Sequence, residues 1–142
     1  MIDKNGIETL FDDIKKNHPL LIERIEKGTK LSSNSSELLL KEVLRFLFLI
    51  TKHNRTLSPS ILIDLAWHEM ILFTRLYESI CNKNFGRFIH HTPSGDDKEN
   101  QQRYKTTLKL YALTFGDLPE EFWGKEVEEY NENASCGSCQ SN

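Results

Sequence analysis

The sequence predicts an all-α fold, a single compact domain of about five or six helices with a flexible C-terminal tail. Apolar residues recur at spacings of three and four through most of the chain, the period of helices with a face in a core. No stretch alternates apolar and polar residues as a half-buried strand would. Clusters of Gly, Pro, Ser and Asn fall between the periodic segments, where they punctuate helices. With 142 residues, 38% hydrophobic and 27% charged, the chain is of single-domain length and long enough to bury a core.

Ile7, Leu10, Phe11 and Ile14 predict a first helix over about residues 5–16. His18-Pro19 interrupts it, because proline disfavours helical geometry in the residue before it. Leu20, Leu21, Ile22 and Ile25 predict a short second helix ending at Gly28. A polar loop follows over 29–36, then a third helix over about 36–53. That helix is apolar nearly all round, with Lys41, Arg45 and Lys52 on the remaining stripe and Glu42 beside it, so it belongs at the centre of the core. Ser58 as N-cap and Pro59 as first residue open a fourth helix over about 59–82. A connection with Gly86, His90 and His91 leads to a helix start at Ser94-Gly95-Asp96-Asp97. Tyr104, Leu108, Tyr111 and Phe115 form the apolar stripe of the next helix, and Gly116 closes it. Pro119 begins a short turn or helix ending near Trp123. Seven acidic residues between Asp117 and Glu132, against Lys125 alone, read as a solvated terminal helix. The helical domain is placed at 1–130, and residues 131–142 are a disordered cysteine-containing tail.

A net charge of -3 and a pI near 6.0 give no basic face for nucleic acid. No signal peptide is visible, and the longest apolar block, Leu38 to Ile50, is short and interrupted by charge, whereas a membrane span needs about 20 apolar residues. These features predict a cytoplasmic protein with no membrane partner. Cys81, Cys136 and Cys139 do not make a secreted disulfide framework.

Chemistry concentrates in the fourth helix and the connection after it. At about 100° per residue, Asp64, His68, Ile71, Arg75 and Ser79 share one stripe. Asp64 and His68, four apart, are neighbours on a helix. Asp64 could take the Nδ1 proton of His68 and leave Nε2 free, or both could ligate a divalent metal. Trp67 points elsewhere and reads as a core anchor with its indole N–H bonded. Adjacent side chains of an extended segment diverge, so only one of His90 and His91 should join a site. A centre of His68, one of that pair, and Asp64 or Cys81 suits zinc or iron. Cys136 and Cys139 form a C-x-x-C in the tail, able to offer two thiolates or a reversible disulfide. His18 and His53 read as surface or helix-end residues, and no phosphate loop or nucleophile elbow is present.

The set Pro59-x4-Asp64-x2-Trp67-His68, Tyr77-x3-Cys81, Gly86, His91-x-Pro93, Tyr104, Tyr111, Phe115-Gly116 and Trp123 resembles the glycine-rich domain-containing protein-like family over roughly residues 35–125. The resemblance implies a helical fold and no particular activity. Asp64, Trp67, His68, Cys81 and His91 match the family's recurring positions, which favours His91 over His90. A long glycine-rich segment is missing here.

The expected function is therefore a small metal- or ligand-binding helical protein. Asp64, His68, His91 and Arg75 are its candidate ligand-binding residues, and His68 is the general base if there is catalysis, since imidazoles titrate near neutrality. The alternative is a protein-interaction module in which Asp64 and His68 are a structural hydrogen-bonded pair and an apolar patch meets an unknown protein partner.

Overall fold

Proline sets the first corner of the chain. Pro19 is the first residue of α2 (Pro19–Thr29), where its missing N–H costs no helical bond, and α1 (Gly6–Asn17) ends against it at His18. The computed structural model describes residues 1–93 and 95–131; the expected tail, with Cys136 and Cys139, lies outside the described residues apart from Asn131. α1 buries Ile7, Leu10, Phe11 and Ile14, and α2 buries Leu21, Ile22 and Ile25, the apolar periods read from the sequence. Gly28 lies inside α2, one residue before its end, and a Cβ there would stand 3.3 Å from the Glu69 side chain. Packing, not helix termination, is what this glycine serves.

α3 (Ser33–His53) starts three residues earlier than its apolar period, because Ser32 Oγ accepts from Ser35 N at 3.1 Å and caps it. It is buried along most of its length and is the central helix of the fold. The predicted fourth helix differs in two ways. Its cap is Ser60, not Ser58: Ser60 Oγ accepts from Ile63 N at 3.2 Å and donates to Phe122 O at 2.7 Å. Ser58 and Pro59 stay outside the helix, and the Ser58 carbonyl takes the Thr107 hydroxyl at 2.8 Å. Ser60→Ala removes the cap and the cross-link together, so we expect it to cost about 2 kcal/mol, read by urea denaturation. The helix is also broken at Phe73 (φ -85°, ψ 67°) into α4 (Ile61–Leu72) and α5 (Thr74–Ile80), with a π turn over Cys81–Phe85. Beyond the break Tyr77 and Ile80 turn inward, while Ile61, Leu65 and Leu72 of α4 are exposed. The apolar circumference of α4 is thus only partly buried.

α6 (Asp97–Phe115) begins at Asp96, whose side chain accepts from Glu99 N at 3.1 Å, and ends at Gly116, as its sequence predicts. The acidic stretch is not one solvated helix. It divides into α7 (Glu120–Trp123) and a 3-10 turn (Lys125–Glu129) at Gly124, whose φ of 89° is left-handed. Phe122, Trp123 and Val127 are buried, and seating them in the core outweighs continuing a helix. Seven α-helices and no strand occur among the described residues. None of the described helices is long and apolar enough to cross a membrane.

α3 packs against α1, α2, α4 and α6, and a polar knot ties it to the C-terminal elements. Glu42, expected at the edge of a solvated stripe, is buried. Its Oε1 accepts from Tyr111 Oη at 2.6 Å and Trp123 Nε1 at 2.9 Å, and its Oε2 meets Arg45 Nη1 at 3.0 Å. Arg45 also donates to Tyr111 Oη at 2.9 Å and lies 5.2 Å above the Phe115 ring.

Burial holds the phenols of this core protonated. It pushes Tyr77 and Tyr111 well above the usual phenol range, with the Glu42 charge adding to the effect on Tyr111. Burial, with Glu126, pushes Tyr104 up to about 12. Folded values above unfolded ones stabilise the fold below the free phenol pKa of about 10, and that stability is lost as pH rises beyond it. We expect phenolate absorbance from these three residues to appear only with alkaline unfolding, in step with loss of helical circular dichroism.

Candidate metal centre

α4 presents Asp64, Trp67 and His68 within two turns, and the segment after the π turn brings His91 to meet them. The meeting has an internal scaffold. Trp67 is buried, and its Nε1 donates to Tyr77 Oη at 3.0 Å. Tyr77 in turn donates to the Ile89 carbonyl at 2.5 Å. The indole is thus the core anchor expected of it. It is also a platform: the His91 ring stacks on it with centroids 4.0 Å apart and planes 13° from parallel. Fixing Ile89 fixes the register of the next residues, so His91 turns inward while His90 is exposed and lies edge-on to Phe88.

Asp64 pairs with His91 rather than with His68. His91 Nε2 lies 2.7 Å from Asp64 Oδ1, a short charge-assisted contact. His68 Nε2 lies 3.7 Å from Asp64 Oδ2, beyond hydrogen-bonding distance. This corrects the expected Asp64–His68 hydrogen bond through Nδ1. Stacking on Trp67 holds the loop histidine against the carboxylate, whereas the His68 ring, one turn along the same helix, stays at 3.7 Å. The two imidazoles stack with centroids 4.7 Å apart. One donor atom from each of Asp64, His68 and His91 lies within 4.8 Å of the others. Side-chain exposure grades across the three, from 14% for His91 through 34% for Asp64 to 50% for His68, so the cluster is buried on one side and open on the other.

The open side faces a groove of about 990 Å³. Its walls are the connection from Asn54 to Ser60, α4, the segment from Arg87 to Pro93, and the first turns of α6. Tyr104 lines it with its hydroxyl committed to the Trp123 carbonyl.

Cys81 and Arg75 stand apart from the cluster. Cys81 is a buried free thiol in the π turn, beside Tyr77, and burial pushes its pKa up, the opposite of what a ready thiolate ligand needs. Arg75 is exposed on α5 and does not line the groove, because the break at Phe73 ends the stripe it was assigned to. Cys136 and Cys139 lie outside the described residues. His18 sits at the α1–α2 corner and His53 in the last turn of α3, away from the site. The His53 Nε2 is buried without a hydrogen-bond partner, and burial, with Lys52 and Arg55, lowers its pKa.

Sequence reasoning missed the groove itself. Arg55, Arg87 and Arg103 line it from three separate elements, and no spacing along the chain links them.

No curated protein and no solved structure matches this chain. A family model, UCP032817-like, matches residues 9–116, from within α1 to the end of α6 with every member of the centre, and its description carries neither an activity nor the glycine-rich name that the motifs suggested. The chain, by a match over most of its length that contains Asp64, His68 and His91, belongs to the UCP032817-like family.

Proposed function

We propose that this protein binds one divalent transition metal, zinc or iron, through Asp64, His68 and His91, with the remaining coordination positions open to the groove. The supporting observation is the convergence of two imidazoles and a carboxylate from separate segments to within 4.8 Å. Metal bonds of about 2.0–2.2 Å at tetrahedral angles put neighbouring donors roughly 3.4 Å apart. His68 Nε2 stands 3.7 Å from Asp64 Oδ2 and His91 Nε2 2.7 Å from Asp64 Oδ1, and with all three donors inside 4.8 Å of one another, side-chain shifts of roughly an ångström bring them onto one ion. Two histidines and one carboxylate leave sites for water or substrate. With zinc that set supports hydrolytic or Lewis-acid chemistry, and with iron it is the donor set of non-haem oxygenases. A reducing cytoplasmic setting fits the free thiol of Cys81. The likeness of Asp64-x2-Trp67-His68 and His91-x-Pro93 to the glycine-rich domain-containing protein-like family belongs to this same reading, on motif grounds.

Elemental analysis of protein purified without an affinity tag tests the proposal. Close to one equivalent of zinc or iron per chain is expected, and a metal-free protein that takes up neither ion on titration rejects it.

One observation favours a second reading, a protein-interaction module. Ile61, Leu65 and Leu72 share the outer face of α4 with His68, and Ile61 is 82% exposed. In that case Ile61→Lys with Leu72→Lys abolishes association seen by sedimentation, and added zinc or iron changes neither the association nor the stability of the parent.

A further inference from the structure

The groove beside the centre carries a charge opposite to that of the chain. The whole protein has a net charge of -3. The groove is lined by Arg55, Arg87 and Arg103, with Asp64 and Asp97 as its only carboxylates among the described residues. Asp64 is engaged with His91, and Asp97 lies in the first turn of α6, where the helix amides offset its charge. Arg103 is paired with Glu99. Arg55 and Arg87 are exposed and have no carboxylate partner among the described residues. They come from different walls: Arg55 from the connection before α4, and Arg87 from the segment that carries His91.

We propose that the groove binds a small molecule bearing a carboxylate or phosphate, whose oxyanion pairs with Arg55 and Arg87 while its other end reaches the Asp64–His68–His91 centre. The planar guanidinium fork matches the geometry of both oxyanions. A concave wall with an excess of cationic side chains concentrates anions near it, so a groove with three arginines against two carboxylates draws them even on an acidic protein. A divalent ion at the centre adds to the attraction. The volume of about 990 Å³ is at the upper end for small-molecule sites, enough for a metabolite-sized ligand. This inference rests on the metal centre proposed above for the placement of the ligand's second end.

The test titrates succinate and methyl phosphate, in separate arms, into protein carrying one equivalent of zinc and into metal-free protein. Binding is followed by amide chemical shifts and by calorimetry. At least one probe should perturb residues 55 and 87. In the paired variant Arg55→Gln with Arg87→Gln its affinity should fall at least about tenfold, the loss expected for charge-assisted hydrogen bonds. Zinc uptake by the variant should be unchanged. The control Lys105→Gln, an exposed cation of α6 outside the groove, should bind the probe as the parent does. The stronger arm identifies the oxyanion. Equal affinity in parent and paired variant overturns the anion site and leaves the metal centre standing. Failure to take up zinc, with arginine-dependent binding retained in the metal-free arm, overturns the metal centre and the second contact but keeps the arginine site.

Discussion

Asp64→Asn and His91→Ala are each expected to weaken zinc affinity by about 100-fold or more, measured by competition with a chromophoric chelator. Losing a group that merely orients a metal ligand already costs 10–100-fold, so loss of a ligand itself should cost at least the upper end of that range. Asp64→Asn is informative because it keeps the shape of the side chain and a hydrogen bond to His91 while removing the charge that an ion needs. His68→Ala should also weaken binding, with little effect on stability, because His68 is half exposed and makes no hydrogen bond to Asp64. His91→Ala should cost both affinity and some stability, because its ring covers Trp67. Unchanged affinity in all three variants would leave no metal centre here. The pattern also separates the two readings, since a structural role alone gives a stability change with no effect of metal.

Glu42→Leu is expected to destabilise the fold by about 3 kcal/mol or more, since removing one partner of a buried charged network strands the others. Tyr111 Oη, Trp123 Nε1 and Arg45 all direct donors at this carboxylate, and the first two residues are fully buried. For a chain of this length that corresponds to a fall of roughly 10 °C in Tm, read by calorimetry. Adding Tyr111→Phe to Glu42→Leu should recover part of the loss, because it removes one of the stranded donors. In the parent background the same change should only destabilise. Opposite signs in the two backgrounds are the signature of a coupled network, and simple additivity rejects it. The knot joins α3 to α6 and α7, so α6, which forms the far wall of the groove, depends on it.

The legible parts of the fold are those decided within a few residues. The Ile7, Leu10, Phe11 and Ile14 period of α1, the Pro19 corner, the Asp96 cap and the Gly116 stop are local choices, set by side-chain spacing and backbone chemistry. The α3 period marked the central helix for the same reason. The positions that differed are decided elsewhere in the chain. Ser60 outcompeted Ser58 as a cap because Phe122, 62 residues on, offers its carbonyl to the Ser60 hydroxyl. Glu42 is buried because Tyr111 and Trp123 reach it from 69 and 81 residues away. Phe73 breaks a segment whose period ran on without interruption, which removed Arg75 from the stripe it shared with His68.

The candidate site divides along the same line. By itself the sequence determined an all-helical chain, the placing of Asp64 and His68 one turn apart, and the divergence of His90 from His91, all consequences of helical and extended periodicity. Only the tertiary structure decided that Asp64 faces His91, that Trp67 carries the His91 ring through the Tyr77–Ile89 link, and that three arginines line one groove. Periodicity fixes which residues share a face, but the partner of that face is chosen by how the helices pack, and packing is summed over the whole core.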